Sequence, residues 1–492
     1  MRGRGLIRLA FAAAFFGLAG PTLANTPPAT AQAQAESLLA AAPKGARFGL
    51  LVVDDAGSVI ASVNPDQRFI PASNTKMFTT AAAYALLPGM DEPDKFGGTE
   101  VIFEFNRSPR IQDVRLIGKG DARMSSAADC KSDCLATLVD AVAGNTRRVR
   151  DVIGDDSFWP DQRWSPGMSW NNIGTDDGTA ASALNLDDNQ IAIGIYPGAP
   201  GQAPTVTMPP YFTLHNEAIT GPVGSPKSLA FERGVNGTEL RLYGSIPAGS
   251  ASLTEHVGID DPAHYAAWTF RRMLEARGVK VTGKVRVLHR APQLDDQVFD
   301  YGKLGTPIVI NYRPLARLTP PALAEDVGII NKVSQNLHAQ ILFHRLGDIW
   351  GTGSNDWSVK AEQDLFTKAG IPREGYDFSD GSGMSTYNRV SPRAAVALLR
   401  WIDTQPWGKA WYASLPIAGV DGTLKRRFIG TPLANNLVAK TGTLNATNAL
   451  SGTFRAASGR RLTFAFFAND VPDGQTALPV MEAVLLGIAA SN

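Results

Sequence analysis

Apolar runs at the two ends of this 492-residue chain differ in texture from those in its middle. Near the start, Phe48-Gly-Leu-Leu-Val-Val-Asp54 and Gly57-Ser-Val-Ile-Ala-Ser62 lie on either side of Asp55-Ala56, which predicts a β-hairpin. After Pro71 comes an Ala-rich apolar run, Ser73 to Leu87, too long for a strand; it predicts a buried helix beginning near Ser73. Towards the C-terminus, Asn436–Lys440, Ala449–Phe454 and Arg461–Ala468 predict three strands joined by short turns, and Leu478–Ala489 a closing helix. Strands at both ends with helices around them predict a single α/β (α+β) sheet assembled from the two termini.

From about Asp91 to Pro292 the pattern changes to short strands separated by Gly, Pro, Asn and Asp clusters. Val101–Phe105, Asp113–Gly118, Gln190–Tyr196 and Glu239–Gly244 are the clearest. One amphipathic helix, Tyr265 to Arg277, precedes a strand at Lys284–Val287. This is the texture of a β-rich insertion of one or two small domains, residues 91–292, placed between the halves 25–90 and 293–492 of a second domain. Residues 25–35, Asn-Thr-Pro-Pro-Ala-Thr-Ala-Gln-Ala-Gln-Ala, read as a low-complexity linker.

Residues 1–24 have the build of a cleaved export signal. Arg2, Arg4 and Arg8 precede a twelve-residue apolar stretch, Leu9 to Gly20, and Thr22-Leu23-Ala24 supplies small residues before a cut at Asn25. Twelve apolar residues fall short of the ~20 that span a bilayer, and Val480–Ala490 is both short and interrupted by Glu482. The expected location is therefore outside the cytoplasm, in the periplasm or cell envelope, with no integral membrane segment after signal removal. The formal net charge is +1, and losing the three leader arginines leaves 44 basic against 46 acidic residues, or −2. A chain so balanced, without Lys/Arg blocks, has no electrostatic footprint for nucleic acid. Only Cys130 and Cys134 are present; at that spacing they can close a disulfide or remain two thiols. None of the six histidines falls into a zinc-ligand pattern, so no metal is implied.

Three short motifs carry chemistry. In Ser73-Asn74-Thr75-Lys76 the three-residue spacing puts Ser73 and Lys76 on one helix face, where a desolvated amine can take the hydroxyl proton. Chance alone supplies about one Ser-x-x-Lys in such a chain, so position at a helix start matters more than the motif. Ser334-Gln335-Asn336 lies in a helical pattern of Ile329, Ile330, Val333, Leu337 and Ile341, and by itself reads as a polar helix face. Lys440-Thr441-Gly442-Thr443 lies on a predicted strand, where Gly442 would let substrate backbone approach closely.

In this order the three motifs are the set used by serine penicillin-binding proteins and β-lactamases. The chain resembles the class C, low-molecular-mass penicillin-binding proteins, the D-alanyl-D-alanine carboxypeptidase/endopeptidase family. Gly118-Lys-Gly-Asp121, Ile153-Gly-Asp-Asp-Ser-Phe158, Trp170-Asn171, Asn185-Leu-Asp-Asp-Asn189, Asp380-Gly-Ser-Gly-Met-Ser385 and Gly419-Val-Asp-Gly-Thr423 extend the likeness over nearly the whole chain, as does the long insert between the first two motifs. Two positions depart from the family pattern: Gln335 replaces the more common Asp, and Ala122 the Pro often found after Asp121.

The resemblance implies a serine transpeptidase/β-lactamase-like fold whose insert holds two extra domains. It implies a Ser73 acyl-enzyme with Lys76 as base, Ser334 between Lys76 and Lys440 relaying a proton to the leaving amine, and Asn336 binding the peptide amide. Ser73 and Thr443 N–H groups would form the oxyanion hole, while Lys440, Thr441 and Thr443 would hold the substrate carboxylate. Asp155 or Asp156 would bind the free ammonium of the stem's diamino acid. The implied partners are peptidoglycan peptides and β-lactams, with no cofactor. A serine β-lactamase is a weaker reading, because no Glu-x-x-x-Asn-like element follows the second motif; a silent cell-wall binding scaffold is another, set against the intact polar side chains of the site.

Overall fold

The computed structural model describes residues 29–105, 112–298 and 313–492, so the candidate export signal lies outside the described residues. The chain enters with helix α1 (Ala29–Ala40), then the hairpin β1 (Arg47–Asp54) and β2 (Val59–Val63), then α2 (Thr75–Leu86). The inserted region contributes β3 (Glu100–Phe105), β4 (Gln112–Ile117), α3 (Leu135–Asn145), β5 (Val152–Pro160), α4 (Pro262–Ala276) and β6 (Val285–Arg290). A short strand β7 (Ala316–Arg317) leads into α5 (Leu323–Lys332) and α6 (Asn336–Gly347). Beyond them come α7 (Pro392–Asp403), β8 (Val438–Leu444), β9 (Thr447–Arg455), β10 (Arg461–Asn469) and α8 (Leu478–Ser491).

The two ends of the chain do build one sheet, in the order β2-β1-β10-β9-β8, with every neighbouring pair antiparallel. Both of its faces are covered, which is why β1 and β10 read as nearly continuous apolar runs rather than alternating ones. Leu50, Val52, Phe464 and Phe466 face a core shared with α1 and α8. Leu51, Val53, Ala465 and Phe467 face the opposite core, built on Met77 and Phe78 of α2 and Leu398 and Leu399 of α7.

Residues 29–35, expected to be linker, belong to α1. Ala and Gln are good helix formers, and Ala31 and Ala35 are small enough to bury against α8. Gln34 sits where a Cβ on Gly487 would be, and Gln32 bonds the backbone of Ser62 in both directions, so tertiary contacts fix a segment whose composition suggested flexibility.

The insert has its own five-stranded sheet, ordered β6-β5-β4-β3-β7, packed under α3 and α4 around a separate core that includes Val114, Val152, Leu138 and Phe270. Smaller three-stranded sheets surround Gln190–Tyr196 and Glu239–Tyr243. The edge strand β7 and Leu318, beyond residue 292, also join this core. Cys130 and Cys134 form a disulfide just before α3, with Cα atoms 5.8 Å apart. Among the described residues no helix is long and apolar enough to cross a membrane, and no group of His, Cys, Asp or Glu side chains forms a metal site.

Candidate active site

Ser73 sits in a short 3-10 turn, Ala72–Asn74, that runs straight into α2. Ala72 before it adopts φ +47°, a left-handed conformation that costs an L-residue energy and sharpens the entry into the helix. Two glycines let neighbouring chain approach this elbow. A Cβ on Gly383 would lie 2.0 Å from Ala72 O, and one on Gly442 would lie 2.7 Å from Pro71 O and 3.1 Å from Ser73 N. Neither position has room for another residue without displacing backbone.

The helical spacing delivers Lys76 to Ser73: its Nζ lies 2.9 Å from Ser73 Oγ. Two further bonds fix the amine, to Asn336 Oδ1 at 2.6 Å and to the carbonyl of Ser382 at 2.5 Å. Lys76 is completely buried. Burial pulls its amine down to about 7, against the opposing charges of Asp380 and Asp177. Asp380 also shapes the loop that holds Lys76. It accepts from Gly383 N, Ser385 N, Ser382 Oγ and Asn388 Nδ2, and so fixes the Ser382 carbonyl.

The second motif does not lie within one helix. Helices α5 and α6 are separate, and Ser334 stands between them at φ +68°. Gln335 caps α6, its side-chain oxygen accepting from Leu337 N at 2.9 Å, so the residue that departs from the common Asp still satisfies a helix N-terminus. Asn336, the first residue of α6, spans two partners: Oδ1 meets Lys76, while Nδ2 donates to Asp177 O at 2.9 Å and Asp177 Oδ1 at 3.2 Å.

Lys440 lies on the edge strand β8. Its Nζ bonds Ser334 Oγ at 2.9 Å and Thr441 O at 3.1 Å, and it is fully buried. Burial, reinforced by the charge of Lys76, holds its amine well below the ordinary lysine range. The structure thus gathers Ser73, Lys76, Ser334, Asn336 and Lys440 as two serine–lysine pairs. The three described bonds of Lys76 go to Ser73, Asn336 and Ser382, and Ser334 is bonded to Lys440.

Ser73, Ser334 and Asn336 open onto a cavity of about 640 Å³ lined also by Thr441, Gly442 and Thr443 and by Asn172, Asp176 and Asp177 of the insert. Trp170, four-fifths exposed, shares a short 3-10 turn with Asn172. Asp155 and Asp156 do not line the cavity. Both lie buried on β5: Asp155 pairs with Arg115, and Asp156 accepts from Ser182 Oγ at 2.8 Å and bonds His289 Nδ1 at 2.8 Å. The insert's acids at the cavity are Asp176 and Asp177, in the segment Thr175-Asp-Asp-Gly178, whose composition is that of any Asp/Gly cluster of the insert and carries no sign of a site. The Ser382 carbonyl was also missed, since a backbone acceptor carries no residue-type signature; the turn-rich Asp380-Gly-Ser-Gly383 run was its nearest trace.

The chain matches the model of the D-Ala-D-Ala carboxypeptidase 3 (S13) family over residues 31–486. It is 31% identical to a D-alanyl-D-alanine carboxypeptidase of an Actinomadura species over 518 residues, 99% of this chain and 91% of that protein. To the D-alanyl-D-alanine carboxypeptidase DacB of Haemophilus influenzae it is 22% identical over 441 residues, 88% and 87% of the two chains. The crystal structure of penicillin binding protein 4 from Haemophilus influenzae has the same fold, with a TM-score of 0.75 at 21% identity over 92% of this chain and 97% of that one.

Proposed function

We propose that this chain, which belongs to the D-Ala-D-Ala carboxypeptidase 3 (S13) family and is a serine D-Ala-D-Ala carboxypeptidase, acts through a Ser73 acyl-enzyme with neutral Lys76 as base. The observation that carries the proposal is the set of partners around Lys76 Nζ. Two of them, Asn336 Oδ1 and Ser382 O, can only accept hydrogen bonds. With Ser73 Oγ as the third acceptor, 2.9 Å away, the ammonium is fully satisfied; once the amine is neutral, two N–H bonds still hold Asn336 and Ser382 and the lone pair is free to take the Ser73 proton. Burial that brings the amine to about 7 populates this form at neutral pH.

Ser73 Oγ then attacks the penultimate D-Ala carbonyl as its proton passes to Lys76. The oxyanion is received by the backbone N–H groups of Ser73 and Thr443, brought together by the close approach at Gly442. Collapse breaks the peptide bond, and the leaving amine takes a proton back through Lys76 or the Ser334–Lys440 pair. Water releases the acyl group. Thr441 and Thr443, which line the cavity, hydrogen-bond the carboxylate of the leaving D-residue through their hydroxyls.

The cavity exceeds what a terminal D-Ala needs, which supports an added endopeptidase activity on cross-linked stem peptides. Asp176 and Asp177, rather than Asp155 and Asp156, are the acids available to a stem-peptide ammonium. Penicillin binding protein 4 of Haemophilus influenzae has been crystallised with a β-lactam; we extend β-lactam acylation to this chain, and place its substrate in the cell envelope.

Incubation with benzylpenicillin followed by intact-mass analysis is the test. One durable adduct at Ser73, absent in Ser73→Ala, is expected. Rapid turnover of the drug would indicate a β-lactamase, no labelling a silent scaffold, and an adduct on another serine a different nucleophile.

A further inference from the structure

The buried state of Lys440 leaves the substrate carboxylate without an evident cationic partner. Its Nζ is enclosed and engaged with Ser334 and the Thr441 carbonyl. Among the described residues that line the cavity, one carries a basic side chain, and that is Arg427.

Arg427 reaches the cavity on a rigid segment. Asp421, at its start, accepts from Lys332 Nζ at 2.6 Å and from Ile417 N at 2.9 Å, and Arg427 N closes a turn onto Leu424 O. Thr423, one turn before Arg427, shares a 2.7 Å hydrogen bond with the hydroxyl of Thr441. The segment is therefore tied side chain to side chain to the strand that presents Thr441 and Thr443. The guanidinium is only partly committed: Nε donates to Glu482 Oε1 at 2.6 Å and Nη2 is buried without a hydrogen-bond partner, which leaves Nη1, neither so buried nor bonded among the described residues, for a ligand. A fork with an unmet N–H beside a cavity is suited to a carboxylate. Asp176 and Asp177 line the same cavity, and an anion is repelled from them and drawn to Arg427.

We propose that Arg427 is the charge-bearing specificity residue of the site, binding the free α-carboxylate of the leaving D-residue together with the hydroxyls of Thr441 and Thr443. The proposal rests on the carboxypeptidase reading, and its test separates the two. kcat and KM are measured for a peptide ending in D-Ala-D-Ala and for the same peptide with a C-terminal amide, in wild type, R427Q, R427K and E482Q. R427Q is expected to lower kcat/KM on the acid by about 10- to 150-fold, chiefly through KM, and on the amide by less than about twofold. R427K, able to satisfy Glu482 or the substrate but lacking a fork for both, falls between. E482Q, which keeps the cation, retains the wild-type preference for acid over amide. Equal losses on acid and amide would reduce Arg427 to a structural strut and overturn the proposal, as would wild-type behaviour of both Arg427 variants. If R427Q fails to fold, R427K decides alone: an unchanged acid-to-amide preference refutes the assignment. A wild-type chain that forms no Ser73 adduct with benzylpenicillin would instead refute the acyl-enzyme reading.

Discussion

Replacing Gly442 by Ala probes how closely β8 must seat against Ser73. The new Cβ would lie 2.7 Å from Pro71 O, 3.1 Å from Ser73 N and 3.1 Å from Ala449 Cβ. Two of these are backbone atoms that cannot rotate aside, and the ladder with β9 holds the strand from its other edge. Carbon–oxygen contacts settle at about 3.3–3.6 Å, so the strand must retreat by roughly 0.6 Å or more. A hydrogen bond of ~2.9 Å stretched by that distance has largely vanished. If the bond lost is the one from Thr443 N–H to the oxyanion, acylation slows by roughly 10²- to 10³-fold, about 3–4 kcal/mol. Overpacking adds a stability loss of about 1–3 kcal/mol. Single-turnover acylation by benzylpenicillin, followed by intact mass, measures the first effect and thermal melting the second. Acylation within about threefold of wild type, in a variant that melts lower, would show that Thr443 is not an oxyanion donor. Wild-type melting as well would mean that β8 does not pack against Ser73 as described.

Two further outcomes follow from the site. The acylation rate should rise with pH through about 7, because below that value Lys76 is protonated and has no lone pair for Ser73; Asp380→Asn, which removes a charge opposing the effect of burial, should move this limb to lower pH, and a limb near the ordinary lysine range would refute the neutral-base argument. Asp155→Ala strands the Arg115 guanidinium and should cost roughly 3 kcal/mol of stability with acylation preserved, whereas Asp177→Ala should leave melting unchanged and weaken turnover of ammonium-bearing stem peptides; the reverse pattern in denaturation and peptide assays would return the substrate contact to Asp155.

Local signals carried far in this chain. The Ser73–Lys76 pair was legible because one turn of helix fixes their separation, whatever surrounds them. The terminal sheet was legible because a strand covered on both faces must be apolar along its length, as β1 and β10 are. Motif order added the family and hence the meeting of three motifs far apart in the chain. Other features depended on contacts that no local pattern encodes. Residues 29–35 are composed like a linker, yet α8 and β2 offer a surface on which a small-residue helix can bury. The apolar period around Ser334 continues through a break, because periodicity records which side is buried and not whether the backbone is continuous.

The division is sharpest at the polar contacts of the site. Sequence supplied Ser73, Lys76, Ser334, Asn336 and Lys440 as candidates, through residue type, short spacing and the order of the three motifs. Only the tertiary structure decided that Lys76 is gripped by the Ser382 carbonyl, that Asn336 leans on Asp177, and that Asp155 and Asp156 are spent on Arg115, Ser182 and His289. A backbone carbonyl looks the same in every sequence, and an aspartate in a turn looks the same whether it faces a cavity or a buried arginine. Which of these it meets is set by packing between segments more than a hundred residues apart, as in the bond of Asn336 to Asp177.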